Sequence, residues 1–552
     1  MTGKSGRPVR EAQGADPPAD QGPSSGGRAD PGAAARSLVK HGSALSLLTL
    51  ASRILGLLRE MTKASLLGTS ALSDAFSVAF MIPNLFRRLF AEGSIAAAFI
   101  PTFKAHLLEE DREKTREFLS CIFTFLSFFV SLAVILGIII TPLVVSFFGM
   151  KTFNETVFLT RLMFPFLAFI SIAAFFQGIL NSVRIFTPSG LAPILLNLAT
   201  ILCAYGLSPF TKNPARAMAL GILTGGFLEA AIQFPFVMRR GFRFFFTGLK
   251  RAIGNPGTRM VLRLVGPTII GMAAYQLNDL VSTALAGNAG EGIVSSLQYS
   301  LRLQELILGV FAVSIGTVLL PDLTEYAKSS RWGLYNERLV SAMDIIALIT
   351  IPITLFSLIQ GEPLIRLLFQ NRSFDESSVR LTYAAFKFHM PGLFFIALNR
   401  ILAPAFYAQS DSKSPTLAGI ISFAVNMILA AALVRPMKGA GVALALTLAS
   451  GINTALLLIF LKRNPEIAVA RAFRSALFYT AKLVLFSAAA ALPVLALGPR
   501  IAAFFAGRGR LISYGLPLTI TAFIYGAAGL LLLALTGDSR FRAAAGMLRR
   551  RK

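Results

Sequence analysis

RLMFPFLAFISIAAFFQGIL (residues 161–180) and FKFHMPGLFFIALNRILAPAF (residues 386–406) are two apolar stretches built on one pattern. Pro165 aligns with Pro391, Leu167 with Leu393, Phe169 with Phe395 and Ile170 with Ile396, each pair separated by 226 residues. The likeness runs on in both directions. Pro188 matches Pro415, Asn197 matches Asn426, and FVMRR (236–240) resembles IFLKR (459–463), with Arg240 opposite Arg463. Upstream, AAAFIP (96–101) and GTVLLP (316–321) both run out at a proline. Each copy holds six apolar runs, an even number, so both enter a membrane the same way up, related by an axis along its normal. Duplications of this kind build transporters, with a substrate site between the halves that opens to alternate sides.

Working outward, the whole chain reads as a polytopic, all-α membrane protein. Of its 552 residues, 55% are hydrophobic and only 14% charged, yet 53 Lys+Arg against 27 Asp+Glu leave a formal charge of +26. Mean hydropathy is +0.66. That combination excludes an ordinary nucleic-acid-binding domain, a disordered chain and a disulfide scaffold. Cys121 and Cys203 lie in apolar runs without ligand spacing and read as small buried residues. A helix needs about 20 apolar residues to cross a hydrocarbon core of roughly 30 Å. Fourteen runs qualify: 43–68, 72–103, 118–149, 156–183, 188–208, 216–238, 264–286, 292–321, 339–361, 381–409, 414–434, 439–461, 475–498 and 511–536. They are numbered spans 1–14 below.

The expected organisation follows. Residues 1–36 form a disordered tail, and 37–240 an N-terminal lobe of spans 1–6. Residues 241–263 are a basic linker, 264–463 a C-terminal lobe of spans 7–12, 464–536 spans 13 and 14, and 537–552 a basic tail. Segments on the side of the termini hold 32 Lys+Arg and the opposite loops 11. That bias places both termini in the cytoplasm. The stretch RRGFRFFFTGLKRAIGNPGTR (239–259), within that linker, interleaves bases with Phe. We read it as a topogenic loop on anionic membrane lipids, with no nucleic-acid partner.

Ten basic residues remain inside spans: Arg53, Arg59, Lys63, Arg87, Arg88, Arg161, Arg302, Lys387, Arg400 and Lys482. Each costs at least about 2.5–3.5 kcal/mol at a helix centre, so it needs a partner or an aqueous cavity. Arg161, Lys387 and Lys482 are near span ends and are expected to snorkel. Counted from Ser43, Arg53 lies about 15 Å deep and Arg59 about 24 Å. Arg53 and Glu60, seven apart, share a face and are expected to pair. Arg59 and Lys63 share a sign at i,i+4, which costs energy unless an anion lies between them. Span 2 adds Asp74, Pro83, Asn84, Arg87, Arg88 and Glu92, with Arg88 and Glu92 placed to neutralise each other. Span 7 adds Asn278 and Asp279, and span 8 adds Arg302 and Glu305. The surplus thus falls on spans 1, 2 and 8, lining a cavity between the lobes with guanidinium groups. Arginine's planar fork suits a pyrophosphate, so the substrate is expected to be an anionic phosphate ester.

The stretch SRILGLLREMTKASLLGTSALSDAFSVAFMIPNLFRRLFAEGSIAAAFIP (52–101) resembles the opening of the MurJ (MviN) family of lipid II flippases. That family belongs to the multidrug/oligosaccharidyl-lipid/polysaccharide exporter superfamily. The resemblance implies a bacterial inner-membrane protein that moves lipid II, undecaprenyl-pyrophosphoryl-MurNAc-pentapeptide-GlcNAc, to the outer leaflet for peptidoglycan synthesis. It implies that Arg53, Arg59 and Arg302 hold the diphosphate, with Arg87 a further required arginine. Asp74, Pro83 and Asn84 match motif residues, and Glu305 an acidic residue of span 8. Arg88 and Glu92 fall in the same motif. Glu60 stands where the family usually has Asp, and Leu301 where many members have Asp. Ile307 replaces a frequent Pro. Some members carry a sodium site whose counterparts here are Asp279, Asn426 and Thr447, but Ala430 offers no ligand one turn after Asn426. No cofactor or metal is expected.

The expected mechanism is alternating access by a monomer, with lipid II as partner. No Walker loop, HExxH motif or nucleophile elbow is present, so the chain reads as a transporter rather than an enzyme. Rival readings are a cation-coupled drug exporter or a flippase for another lipid-linked oligosaccharide of the superfamily. A glycosyltransferase would need a catalytic carboxylate or metal site and a larger outer loop than 362–380.

Overall fold

The computed structural model describes residues 31–88, 95–538 and 540–542, with side chains except at 31–46, 95–97, 266–275, 309–318, 469, 471 and 472. Among these residues the chain is all helix and short turn. The first half holds α1 (Pro31–Leu67), α2 (Ala71–Arg87), α3 (Ile95–Leu108), α4 (Arg112–Ser146), α5 (Phe153–Met163), α6 (Phe166–Ser182), α7 (Thr187–Leu207) and α8 (Pro214–Arg239). After the short α9 (Leu249–Gly254) come α10 (Pro256–Asn288), α11 (Ile293–Lys328), α12 (Trp332–Phe369), α13 (Glu376–Tyr407), α14 (Lys413–Met437) and α15 (Gly439–Leu461). α16 (Val469–Phe505) and α17 (Leu516–Leu535) complete the chain.

Among the described residues, the expected apolar runs fall mainly on helix, with instructive differences. α1 begins at Pro31, inside the stretch expected as a tail. The run 156–183 is broken between α5 and α6 at Pro165, whose ring removes a donor and crowds the preceding turn. Its repeat counterpart Pro391 sits within the unbroken α13. Among the described residues, ten helical segments are long and apolar enough to cross a membrane. Of the bases expected inside spans, Arg161, Lys387, Arg400 and Lys482 lie on helices among the ten, whereas Arg53, Arg59 and Lys63 lie on α1, Arg87 on α2 and Arg302 on α11.

A lipid-facing surface is visible on α4. Phe128, Leu132, Ile135, Leu136, Ile139 and Leu143 are all exposed at helical spacing. In water such a stripe would drive aggregation, whereas hydrocarbon solvates it at no cost. Four helix starts are capped in the usual way: Asp111, Asn213, Asn255 and Asp375 each accept from an N–H in the first turn of the following helix.

The buried apolar residues form two large clusters, one drawn mainly from α2–α8 and one mainly from α11–α15. Neighbour relations repeat between the halves. α7 packs on α1 and α8, α6 on α8, and α2 on α5. Correspondingly α14 packs on α10 and α15, α13 on α15, and α11 on α13. Turn geometry repeats as well: Arg184 and Ser410, 226 residues apart, both adopt φ 61° just after equivalent helices. Asn197 and Asn426 play one part in both copies. Asn197 donates from α7 to the Ser52 carbonyl of α1, and Asn426 donates from α14 to Asn278 and Ser282 of α10.

α16 and α17 attach to the second half through α12. Lys482, expected to snorkel, instead pairs with the buried Asp538 at 2.6 Å. Arg540 joins Asp344 of α12 at 2.9 Å and lies over the Tyr479 ring. The linker after α8 is a strap rather than a free loop. Phe242 and Phe244 pack against Phe103, Phe123 and Phe175, and the Phe245 and Thr247 amides donate to Ser120 and Thr124 of α4.

Candidate functional site

The charges of α1 meet those of α11 where the two halves face each other. Glu60 is the hub. Arg59 Nη2 lies 2.9 Å from Glu60 Oε1, and Lys63 Nζ 3.4 Å from Glu60 Oε2. Lys63 is almost fully buried and also donates to Ser77 Oγ at 3.1 Å and to Gln298 Oε1 of α11 at 3.2 Å. Its ammonium stands 4.5 Å from the centre of the Tyr299 ring, while Arg59 lies over Phe80. The anion required between Arg59 and Lys63 is therefore the protein's own Glu60. Arg53 does not pair with Glu60: seven residues put the two on one face but about 10.5 Å apart along the axis.

Arg302 reaches this cluster from the second half. Its guanidinium lies directly against Gly56 of α1, where a Cβ would collide with it. Nη1 is 3.3 Å from the exposed Glu305, while Nε is buried without a hydrogen-bond partner. Glu60 feels the charges of Lys63, Arg59 and Arg302 together. Three cations thus face two carboxylates, the part-buried Glu60 and the exposed Glu305, and the cluster retains one positive charge in surplus for an incoming anion. Arg53 lies elsewhere, in a cavity of ≈ 390 Å³ between α1, α6 and α7.

The motif residues of α2 divide in function. Asp74 is buried and accepts from the Gly292 amide at 2.6 Å and the Ser295 amide at 2.7 Å, so it caps the start of α11. Around it, Tyr299 donates to the Gly68 carbonyl and Thr69 shares a hydrogen bond with Ser378. Glu291 accepts from the Ala71 amide and lies 3.2 Å from Lys151, partners that hold its carboxyl below the usual range. These contacts tie the halves together at the end of the molecule where α1 gives way to α2 and α10 to α11. At the other end of α2, Pro83 lies within the helix and Asn84 accepts from Arg87 Nε at 2.7 Å. Arg88 meets Gln276 at 3.4 Å and Asp279 at 4.0 Å on α10. Glu92 lies outside the described residues.

The expected cation counterparts lie on α10, α14 and α15, and each has a partner within the protein. Asp279 faces Arg88, Asn426 is bound to Asn278 and Ser282, and Thr447 donates to the Phe388 carbonyl. Among the described residues there is no cluster of three or more His, Cys, Asp or Glu suited to a metal. Sequence reasoning noted Lys63 without giving it a site role, and it passed over Gly56, Ser77, Gln298 and Tyr299. One signal was available: Gly56 sits in mid-helix between two arginines, where glycine costs about 1 kcal/mol and so requires a packing reason.

With this geometry in hand, the chain was compared with known proteins. The profile of the family described as "Lipid II flippase MurJ" matches residues 63–508. A protein of Treponema pallidum (strain Nichols) named "Probable lipid II flippase MurJ" is 46% identical over 508 residues, covering 91% of this chain and 96% of the relative. A "Lipid II flippase MurJ" of Burkholderia cenocepacia is 32% identical over 437 residues, covering 76% and 83%. Among solved structures, a lipid II flippase MurJ in an inward closed conformation aligns with a TM-score of 0.72 at 24% identity, covering 89% of this chain and 98% of that one. An inward-facing multidrug transporter of the MATE family aligns at 0.62 with 13% identity, over 77% and 96%. These two likenesses establish the shared fold. A match over residues 63–508 and a 46% identical relative over most of both sequences lead to one conclusion: the chain belongs to the lipid II flippase MurJ family.

Proposed function

We propose that this chain is a lipid II flippase of the bacterial inner membrane, carrying the undecaprenyl-pyrophosphate-linked peptidoglycan precursor from the inner to the outer leaflet. Fourteen spans form two six-helix lobes, α1–α8 and α10–α15, with α16 and α17 appended and both termini in the cytoplasm. The observation that carries the reading is the cluster at Glu60, in which Arg59 and Lys63 of one half and Arg302 of the other converge with a surplus of positive charge. A diphosphate satisfies that surplus, because each guanidinium donates two parallel hydrogen bonds to phosphate oxygens.

The mechanism follows from where the halves are joined. The Asp74 cap and its neighbours close the end away from the termini, leaving the headgroup to enter from the cytoplasmic end. Binding of the diphosphate to Arg59 and Arg302 adds negative charge to that supplied by Glu60 and Glu305. The ligand draws α1 and α11 together and the lobes rock, releasing the Asp74 contacts while the polyprenyl tail stays in lipid. Arg87 and Arg88 hold the cytoplasmic part of α2 through Asn84, Gln276 and Asp279.

The test is a proteoliposome assay with purified protein and labelled lipid II, with unlabelled lipid II or a lipid-linked O-antigen unit as competitor. The expected result is translocation that excess lipid II suppresses and the O-antigen unit leaves unchanged. Equal competition by both would assign the chain to general lipid-linked oligosaccharide transport instead.

A further inference from the structure

Arg53 stands apart from the other site arginines. Its cavity is lined by Ser52, Gln177, Asn181 and Ser189, together with Phe186 and Pro193. No carboxylate lines it, and among the described residues Arg53 has neither a salt bridge nor a hydrogen bond. Within the cavity wall, Ser189 Oγ donates to Asn181 Oδ1 at 3.4 Å. An unpaired arginine inside a span is costly and so marks function rather than packing.

The repeat shows that the fold does not require this polarity. At the separation of 226, the second half has Ala403 where the first has Gln177, and Tyr407 where the first has Asn181. The matched turn at Arg184 and Ser410 fixes that register one turn away. The two amide side chains of the cavity, Gln177 and Asn181, are thus particular to the first half. Arg53 precedes Arg59 by six residues, about 9 Å along α1 toward the end carrying the termini. A diphosphate spanning Arg59 and Arg302 does not extend that far, whereas the sugar and peptide beyond it do.

Resting on the lipid II reading above, we infer that this cavity is a second subsite, which takes a carboxylate of the peptide branch of the headgroup. Arg53 binds that carboxylate through its planar fork, and Gln177, Asn181 and Ser189 pair with the neighbouring peptide groups. Arg59 and Arg302 keep the diphosphate. The subsite makes Arg53 a residue of headgroup recognition, distinct from the diphosphate ligands.

Two fluorescent probes separate the roles: lipid II itself, and an undecaprenyl-pyrophosphate-linked disaccharide lacking the peptide. Their affinities are measured with the full-length protein in detergent by fluorescence anisotropy. Arg53→Gln is expected to weaken lipid II about tenfold or more, in line with a lost charge-assisted hydrogen-bond pair, and to leave the peptide-free probe unchanged. Arg59→Gln is expected to weaken both. Retained binding of the peptide-free probe shows that Arg53→Gln is folded. An equal effect of Arg53→Gln on both probes, or on neither, overturns the subsite. Failure of the wild-type protein to bind either probe overturns the lipid II reading itself.

Discussion

Glu60 is the residue on which the site turns, because one carboxylate balances cations from both halves. Removing the charge while keeping the shape leaves buried cations uncompensated, which typically costs about 3–5 kcal/mol. Glu60→Gln is therefore expected to lower the thermal midpoint in detergent by several degrees, with added lipid II restoring much of the loss by supplying the missing anion. Glu60→Asp should lie near wild type. A Glu60→Gln protein as stable as the wild type would show that the cluster is solvated rather than held by that carboxylate. At this scale the sequence was legible in kind and less so in detail. Which residue types the cavity holds followed from the cost of burying arginine. Which of them touch did not, since Arg53 and Glu60 share a face but lie two turns apart, and Glu60 serves Arg59 and Lys63 instead. The nearness of Arg302 to Gly56 is a contact between segments nearly 250 residues apart, beyond the reach of any local spacing rule.

In the proposed mechanism, closure depends on the contact between α2 and α11. Asp74 satisfies two amides at the start of α11 that have no other partner in the helix, and it does so across the boundary between the halves. Asp74→Ala leaves those amides unsatisfied and removes two charge-assisted hydrogen bonds, so the joined end should open more often. The measurement uses Cys at position 378, introduced as Ser378→Cys after Cys121 and Cys203 are replaced. Ser378 is buried and bonded to Thr69 in the same contact region. Labelling by a membrane-impermeant maleimide is expected to rise about tenfold in Asp74→Ala, from the worth of the lost hydrogen bonds. Unchanged labelling would mean that this cap does not restrain the opening. The helices themselves were easy to anticipate from apolar run length, since each span needs a fixed number of residues. Their breaks were not: Pro165 splits its span while Pro391 does not, because neighbouring packing decides whether a proline ends a helix or is absorbed.

Across the whole molecule, neighbour relations and turns match between the two halves, and in the proposed reading the differences between the halves carry the function. Matched neighbours, matched turns and the paired Asn197 and Asn426 follow from duplication. The arginine surplus of α1 and the polar cavity beside Arg53 belong to one half, and Arg302 to the other. The duplication was legible because prolines, large apolar residues and an asparagine recur at a nearly constant separation in the two copies. The conformation was not, because two states of a rocking transporter differ by a few kcal/mol and use the same apolar runs. The central claim is that charges converging from the two halves carry lipid II across the membrane. Its most direct measurement is the initial rate at which labelled lipid II reaches the opposite leaflet of proteoliposomes holding equal amounts of wild-type or Arg302→Ala protein. The account predicts transport by the wild type and a loss of tenfold or more in Arg302→Ala, consistent with removal of a charged hydrogen-bonding group from a buried anion site. Undiminished transport by Arg302→Ala at equal incorporation would contradict it.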